Sequence, residues 1–211
     1  ATGGVMTKGV QPGSPQLSME EMKSAVEEAH KAGKRTASHA QGTEGIKNAI
    51  LAGIDSIEHG IFLDDETIQL MVDRGTYLVP TLVAPYFISS NGVAAGIPKF
   101  IVDKSDYVMK FHNDSFTKAY KAGVKIAMGT DSGTPFNLHG SAPHELKLMV
   151  KCGMSPMEAI VASTKGSADL LDILADYGTL EDGKFADLLV LNENPLDNLD
   201  TLFDIESIYK L

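Results

Sequence analysis

The sequence predicts an α/β fold of the (β/α)8 TIM-barrel type, of which this chain supplies the second half. Short apolar strands are predicted at 34–40, 54–60, 76–82 and 124–129, and segments with helical spacing of apolar residues separate them. This alternation favours βαβ units, so the sheet should be parallel. A closed barrel takes about 250 residues, and four strand–helix units therefore fill only half of one.

The helices follow from caps and apolar spacing. The first is predicted over 18–32, because Ser18 opens it, Glu20 and Glu21 lie in its first turn, and Gly33 follows it. The same signals predict further helices at 43–51, 64–74, 104–122, 142–150, 155–162 and 165–174. Residues 86–98 contain a cluster of Ser, Asn and Gly, and we expect a long loop there, of the kind used as a lid or substrate loop.

The pattern changes near the carboxyl end. Turn residues at Gly178 and Gly183 flank the apolar strand 186–191, and residues 205–211 could pair with that strand. We therefore expect a barrel part over 1–176 and part of a small β-sandwich domain over 177–211.

Composition excludes several function classes. The chain has 211 residues and a net charge of -10, so phosphate backbones and anionic lipids would be repelled and no nucleic-acid partner is expected. No apolar run approaches the roughly 20 residues that span a bilayer, and no membrane association is expected. The single cysteine, Cys152, is predicted to be structural. Its free thiol suits a cytoplasmic location, unless a signal sequence precedes residue 1.

Three polar residues each close a different predicted strand, namely His39, His59 and Asp131. Parallel strands of a barrel present their carboxyl ends at one rim, so residues distant in sequence can meet there. Two imidazoles and a carboxylate form a ligand set that zinc prefers in catalytic sites. The pattern therefore predicts a divalent metal, with zinc as the first choice and Mn²⁺, Co²⁺ or Fe²⁺ also compatible.

Each residue also has a simpler interpretation. A histidine at a strand end can be a hydrogen-bonded core group, and Asp131 can be a helix N-cap or turn former in Thr130-Asp131-Ser132-Gly133. His139 lies on the loop eight residues after Asp131 and is a candidate for substrate binding. The remaining histidines, His30, His112 and His144, are predicted to be structural or solvated. Tyr77 and Thr81 either line the pocket or pack in the core.

Several motifs together resemble the metal-dependent amidohydrolases, near the prolidase-like and imidazolonepropionase-like branch. The segments at Thr36–Ala40, Ser56–Gly60 and Ala127–Gly133 resemble the fifth, sixth and eighth barrel strands of that family. Gly153–Thr164 resembles the helical segment after the barrel, and Gly178–Leu188 resembles the return into the small β-sandwich. The resemblance runs over almost the whole chain.

The resemblance implies an enzyme that hydrolyses amide or peptide C–N bonds, such as an Xaa-Pro dipeptidase or a hydrolase of related dipeptides or N-acyl amino acids. By the same resemblance, His39 and His59 would bind the more exposed of two metals. Asp131 would bind the buried metal and take a proton from the bridging water. His139 would contact a small-molecule or dipeptide substrate.

The sequence departs from the family in lacking the His-x-His pair of the first strand and the metal-bridging lysine of the fourth. Ala1–Gly4 resembles the segment immediately after that lysine. One alternative is a catalytically incomplete half-barrel that acts as a self-associating scaffold, because unpaired sheet edges favour a homo-oligomer. Another is a metal-free enzyme that uses Glu58 and Asp131 as its acid–base pair.

Overall fold

A computed structural model describes residues 1–211, and its centre is a three-stranded parallel sheet. The strands are β1 (Ala37–Ala40), β2 (Ser56–His59) and β3 (Tyr77–Val79), in the order β1-β2-β3. In the register, His39 lies opposite Glu58 and Ala40 lies opposite His59. The α/β class is confirmed; His59 is the last residue of β2, and His39 is the residue before the last in β1.

Helices connect and cover the strands. Their bounds are α1 (Met19–Lys31), α2 (Thr43–Ala52), α3 (Asp65–Arg74), α4 (Val83–Asn91), α5 (Lys99–Lys121), α6 (Pro143–Lys151), α7 (Pro156–Val161) and α8 (Ser167–Leu170). The Ser18 hydroxyl oxygen accepts a hydrogen bond from the Glu21 N–H at the start of α1, and the Glu21 carboxylate accepts one from the Ser18 N–H. This capping box explains why the start of α1 is readable from local sequence. No helix is long and apolar enough to cross a membrane.

The main core lies between the helices and one face of the sheet. The side chains of Ile57 and Leu78 lie on this face of the sheet. They are fully buried in one apolar cluster with Ile46 of α2 and Phe116 of α5. Cys152 is also buried in this core, as predicted. Burying these apolar side chains supplies the main favourable free energy of folding.

The opposite face of the sheet is open. Along β1, Ser38 and Ala40 are buried, whereas Ala37 and His39 are exposed. Strand side chains alternate between faces, so His39 lies on the open face. The side chain of Glu58, its register partner on β2, is only half-buried.

The prediction of a loop at 86–98 is wrong for most of these residues. Residues Val83–Asn91 form α4, and a 3-10 turn follows at Val93–Ala95. Ile88 packs there in a small apolar cluster with Ile101 of α5. The sequence obscures this helix because its amino end has no local side-chain cap and is held instead by a distant carboxylate.

The predicted fourth strand, 124–129, is reduced to a single parallel bridge between Leu78 and Ile126. Leu78 donates its N–H to Lys125 and accepts a hydrogen bond from the Ala127 N–H. The segment thus continues the sheet beyond β3, but it has only this one short pairing and is not a full strand.

The carboxyl end forms an antiparallel hairpin, as predicted. Its strands are β4 (Leu188–Leu191) and β5 (Ile205–Tyr209), with a 3-10 helix at Leu199–Phe203 between them. Large apolar side chains such as Leu189 and Ile208 remain exposed on it. A two-stranded hairpin is marginal alone, so these side chains mark a surface that further strands could cover.

Asp55, just before β2, ties three segments together. Its Oδ2 accepts hydrogen bonds from the Thr36 N–H at 2.7 Å and from His30 Nε2 at 2.8 Å, and its Oδ1 accepts from Arg35 at 2.9 Å. Burial alone would raise the pKa of Asp55, but the bonds from His30, Arg35 and Thr36 outweigh it and lower the pKa to about 2.

We expect Asp55→Asn to lower the free energy of unfolding at pH 7 by about 2 kcal/mol, because the native state favours the charged carboxylate. The folded pKa lies below the unfolded value, so this stabilisation is present above about pH 4 and is lost as pH falls towards 2. Urea unfolding at pH 7 and pH 3 checks this. Asp106→Asn, on the exposed surface of α5, is the control. An equal difference between wild type and Asp55→Asn at both pH values would contradict the prediction.

Candidate functional site

His39 and His59 meet at the carboxyl ends of β1 and β2. Their ring centroids are 4.6 Å apart, and the ring planes are inclined by 74° in an edge-on arrangement. Neighbouring parallel strands bring these positions together because the two strand ends share one edge of the sheet. The predicted convergence of the two histidines is therefore present in the structure.

Three residues near this edge have left-handed backbone conformations. The φ angles are 76° at His59, 52° at Thr81 and 54° at Asp131, and each residue follows or ends a strand segment of the sheet. Left-handed φ is uncommon outside glycine and unfavourable for a β-branched residue such as Thr81. Strain of this kind costs roughly 1–3 kcal/mol per residue and clusters at functional sites.

Two side chains hold His59 in place. Thr81 Oγ1 lies 2.6 Å from His59 Nδ1, and His112 Nε2 lies 3.0 Å from the His59 carbonyl oxygen. His112 lies on α5 and is fully buried, so its structural role is as predicted. Of the two alternatives for Thr81, lining the site or packing, the structure shows direct contact with the site.

Both site histidines are disposed to be neutral. Burial, and then the neighbouring His39 and His112, lowers the pKa of His59 to about 3. The pKa of His39 is also lowered, first by desolvation of the ring and then by the charge of the Ala1 amino group, although Asp131 acts in the opposite direction. A neutral imidazole carries the free lone pair that a metal needs.

Asp131 and Glu58 provide carboxylates near the histidines. Asp131 is exposed, and its charge acts on both His39 and Glu58. Burial raises the pKa of Glu58, a hydrogen bond from Ser56 lowers it, and the Asp131 charge raises it further. Glu58 lines a cavity of about 350 Å³ on the open face, together with Ser56, Val79 and Gly129.

Backbone from the start of the chain approaches the same place. A Cβ on Gly4 would lie 3.0 Å from Nε2 and Cε1 of His39, so a larger residue at this position would press on the His39 ring. Gln41 follows β1 and is buried, and its Oε1 has no hydrogen-bond partner. Gln41 was absent from the predicted site, since a single glutamine after a strand carries no spacing signal.

The other candidates lie apart from the pair. His139 is exposed on the loop after Asp131 and forms no hydrogen bond in the structure, so its substrate role stays a prediction. That loop is anchored by the buried Asn137, whose Nδ2 donates to the Thr130 carbonyl at 2.5 Å. Tyr77 is buried, and its hydroxyl donates a hydrogen bond to Asp169 of α8, so it packs in the fold and does not line the site.

The imidazole nitrogens of His39 and His59 are suitable as two ligands of a metal site. The structure contains no group of three or more His, Cys, Asp or Glu side chains positioned to hold a metal ion. The open face beside His39 leaves room for ligands from outside this chain. The assignment of His39, His59 and Asp131 as a three-residue set therefore stays a prediction.

Comparison with known proteins places the chain in a family. Residues 1–210 match the amidohydrolase family. The chain belongs to this family. Among amidohydrolase relatives, ochratoxinase of Aspergillus niger is 37% identical over 202 residues, and imidazolonepropionase of Caldanaerobacter subterraneus subsp. tengcongensis is 27% identical over 197 residues.

Solved structures agree with this membership. The crystal structure of a Xaa-Pro dipeptidase with methionine bound in the active site superposes with a TM-score of 0.90 and 40% identity, over 99% of this chain. The chain therefore has an α/β fold like that of the matching half of this dipeptidase. The chain spans 41% of ochratoxinase and of the imidazolonepropionase, and 51% of the dipeptidase, so it corresponds to about half the length of these relatives.

Proposed function

We propose that the chain is the carboxyl-terminal half of a metal-dependent amidohydrolase that cleaves amide or peptide C–N bonds. The observation that carries the proposal is the meeting of His39 and His59, with centroids 4.6 Å apart, at the ends of adjoining parallel strands. The similarity to a Xaa-Pro dipeptidase favours dipeptides as substrates. The similarity to ochratoxinase makes other amides alternative substrates.

In this proposal, His39 and His59 hold one divalent metal, with zinc first, and ligands from the other half of the barrel complete the site. When bound, the metal lowers the pKa of a coordinated water and polarises the carbonyl of the substrate. The pKa values of both histidines are lowered, chiefly by burial, which favours the neutral rings that can bind a metal.

Asp131 is the proposed proton carrier. It closes the fourth strand segment, and its charge reaches His39. A carboxylate at this place accepts a proton from the attacking water and delivers it to the leaving amine. His139, exposed on the following loop, is proposed to contact the substrate carboxylate or leaving group.

The architecture in this proposal is a half-barrel over 1–176 and part of a small β-sandwich over 177–211. The open face of β1 and the exposed apolar residues of the β4–β5 hairpin support both assignments, since each surface lacks the cover that a complete domain provides. The buried free thiol of Cys152 is the basis for proposing the cytoplasm as compartment.

The open face also favours a second candidate, a non-catalytic half-barrel that associates with another copy of itself. Parallel sheets are normally covered on both faces, and here one face is open along β1. Light scattering of the dilute chain separates the candidates, because a stable monomer contradicts self-association.

Metal content per chain after dialysis against zinc tests the proposed function. We expect elemental mass spectrometry to find zinc in the wild type and none in the His39→Ala, His59→Ala double variant. The matched control is the His30→Ala, His144→Ala double variant, which removes two imidazoles elsewhere: His30 pairs with Asp55, and His144 packs between Phe87 and Phe203.

Zinc lost only in the site variant supports the hydrolase. Zinc retained after removal of both site histidines would overturn the assignment of this pair. If the wild-type chain binds no zinc, the missing strands are required for binding, and the same measurement on a polypeptide that spans the full length of the relatives decides: absence of zinc there would overturn the proposed function.

A further inference from the structure

We propose that Thr81 is a positioning residue that fixes the His59 ring with its proton on Nδ1, so that Nε2 presents a lone pair at the proposed metal site. This inference rests on the proposed function for the identity of the ligand, but the state of the ring can be tested without it. The argument depends on which atoms around Thr81 can donate a hydrogen.

The Thr81 hydroxyl has two partners. Its Oγ1 lies 2.7 Å from the Pro80 carbonyl oxygen and 2.6 Å from His59 Nδ1. A carbonyl oxygen can only accept, and a hydroxyl carries one hydrogen, so Thr81 donates to Pro80 and accepts from His59. The proton of a neutral His59 ring therefore belongs on Nδ1, and Nε2 is left unprotonated.

Thr81 makes this contact from a left-handed backbone. Its φ of 52° is unfavourable for a β-branched side chain, so local preference alone would not select it. The residue is buried, and hydrogen bonds fix the backbone directly after it. The N–H groups of Leu82 and Val83 donate to the two carboxyl oxygens of Glu145, at 2.9 Å and 2.7 Å.

The His59 backbone is held from the other side. His112 Nε2 lies 3.0 Å from the His59 carbonyl oxygen, which can only accept, so His112 donates. The ring of His59 is thus oriented by Thr81 through its side chain and by His112 through its main chain. Partners that orient a ligating histidine through its second nitrogen typically change metal affinity 10- to 100-fold when removed.

The test compares Thr81→Val, which keeps the branched shape and removes the hydroxyl, with Thr81→Ser, which keeps the hydroxyl. Thr76→Val is the matched control, since Thr76 is buried at the opposite end of β3. Two-bond ¹H–¹⁵N NMR correlations of the imidazoles report the tautomer, and the His59 signals are assigned by their loss in His59→Asn.

We expect the Nδ1–H tautomer of His59 in the wild type, in Thr81→Ser and in Thr76→Val. In Thr81→Val the Nε2–H tautomer should appear. A wild-type ring protonated on Nε2, or an unchanged tautomer in Thr81→Val, overturns the proposal. If Thr81→Val fails to fold, the wild-type and Thr81→Ser spectra still decide it, because both must show Nδ1–H.

Zinc titration by calorimetry gives the second readout. We expect Thr81→Val to bind Zn²⁺ roughly 10- to 100-fold more weakly than wild type, and Thr81→Ser to bind as wild type does. Equal affinity in Thr81→Val overturns the link between Thr81 and the metal. A polypeptide that spans the full length of the relatives and binds no Zn²⁺ contradicts the proposed function, while the NMR result still decides how Thr81 acts on the ring.

Discussion

If the proposed function holds, we expect Asp131→Asn to lower kcat for hydrolysis of an Xaa-Pro dipeptide by roughly 10²- to 10⁴-fold, the contribution of a positioned general acid–base group. The amide cannot carry the proton between water and the leaving amine, yet it has nearly the same shape. Asn also tolerates the left-handed φ of 54° at this position. The assay uses a polypeptide that spans the full length of the relatives.

Asp172→Asn is the matched control for this substitution. Asp172 is also left-handed, with a φ of 60°, and its exposed side chain pairs only weakly with Arg35, at 3.9 Å. It should keep wild-type kcat. If Asp131→Asn retains activity within a factor of a few, Asp131 is not the proton carrier, and Glu58 becomes the carboxylate to examine.

The second large effect concerns stability. Glu145 of α6 is fully buried, and its two oxygens accept the N–H groups of Leu82 and Val83 at the start of α4. We expect Glu145→Ala to lower the free energy of unfolding by about 3–5 kcal/mol, because it leaves two buried donors unpaired and opens a cavity. Urea unfolding followed by circular dichroism measures this difference.

The pH dependence of Glu145 has the opposite sign to that of Asp55. Burial raises the pKa of Glu145 to about 8, although the two backbone hydrogen bonds act to lower it. The native state therefore holds the proton more tightly than the unfolded state, and its contribution to stability falls as pH rises from about 4.5 to 8.

Glu145→Gln removes this titration while keeping the volume of the side chain. The stability of the wild type relative to Glu145→Gln should therefore decrease between pH 5 and pH 8. A constant difference over that interval would show that the carboxyl group has the same pKa in both states. Exposed Glu44→Gln at the start of α2 is the control for loss of a surface carboxylate.

Local sequence is sufficient to predict those parts of the structure that local interactions determine. The start of α1 is set by Ser18 and Glu21, three residues apart, and β1 and β2 are short strands with a histidine at or next to their last residue. The meeting of His39 and His59 followed from the parallel arrangement alone. These features depend on patterns within a few residues or on the general geometry of a parallel sheet.

Long-range contacts set the limit of prediction. The helix α4 was missed because Glu145, 62 residues beyond Val83, caps its amino end. The Thr81–His59 contact joins residues 22 apart in sequence, and Thr81 makes it from a left-handed backbone that threonine disfavours. The segment around Ile126 was predicted as a strand, but it pairs only through Leu78. In each case a distant partner, rather than local preference, decides the structure.

The left-handed residues at His59, Thr81 and Asp131 carry a consequence for engineering thermal tolerance. A library selected only for heat resistance would favour glycine or asparagine at position 81, because either residue relaxes the backbone there. Such variants would lose the hydroxyl that holds His59 while melting at a higher temperature. Selection for heat resistance alone would therefore disfavour the residue that orients the site, and a screen should couple melting temperature to zinc binding.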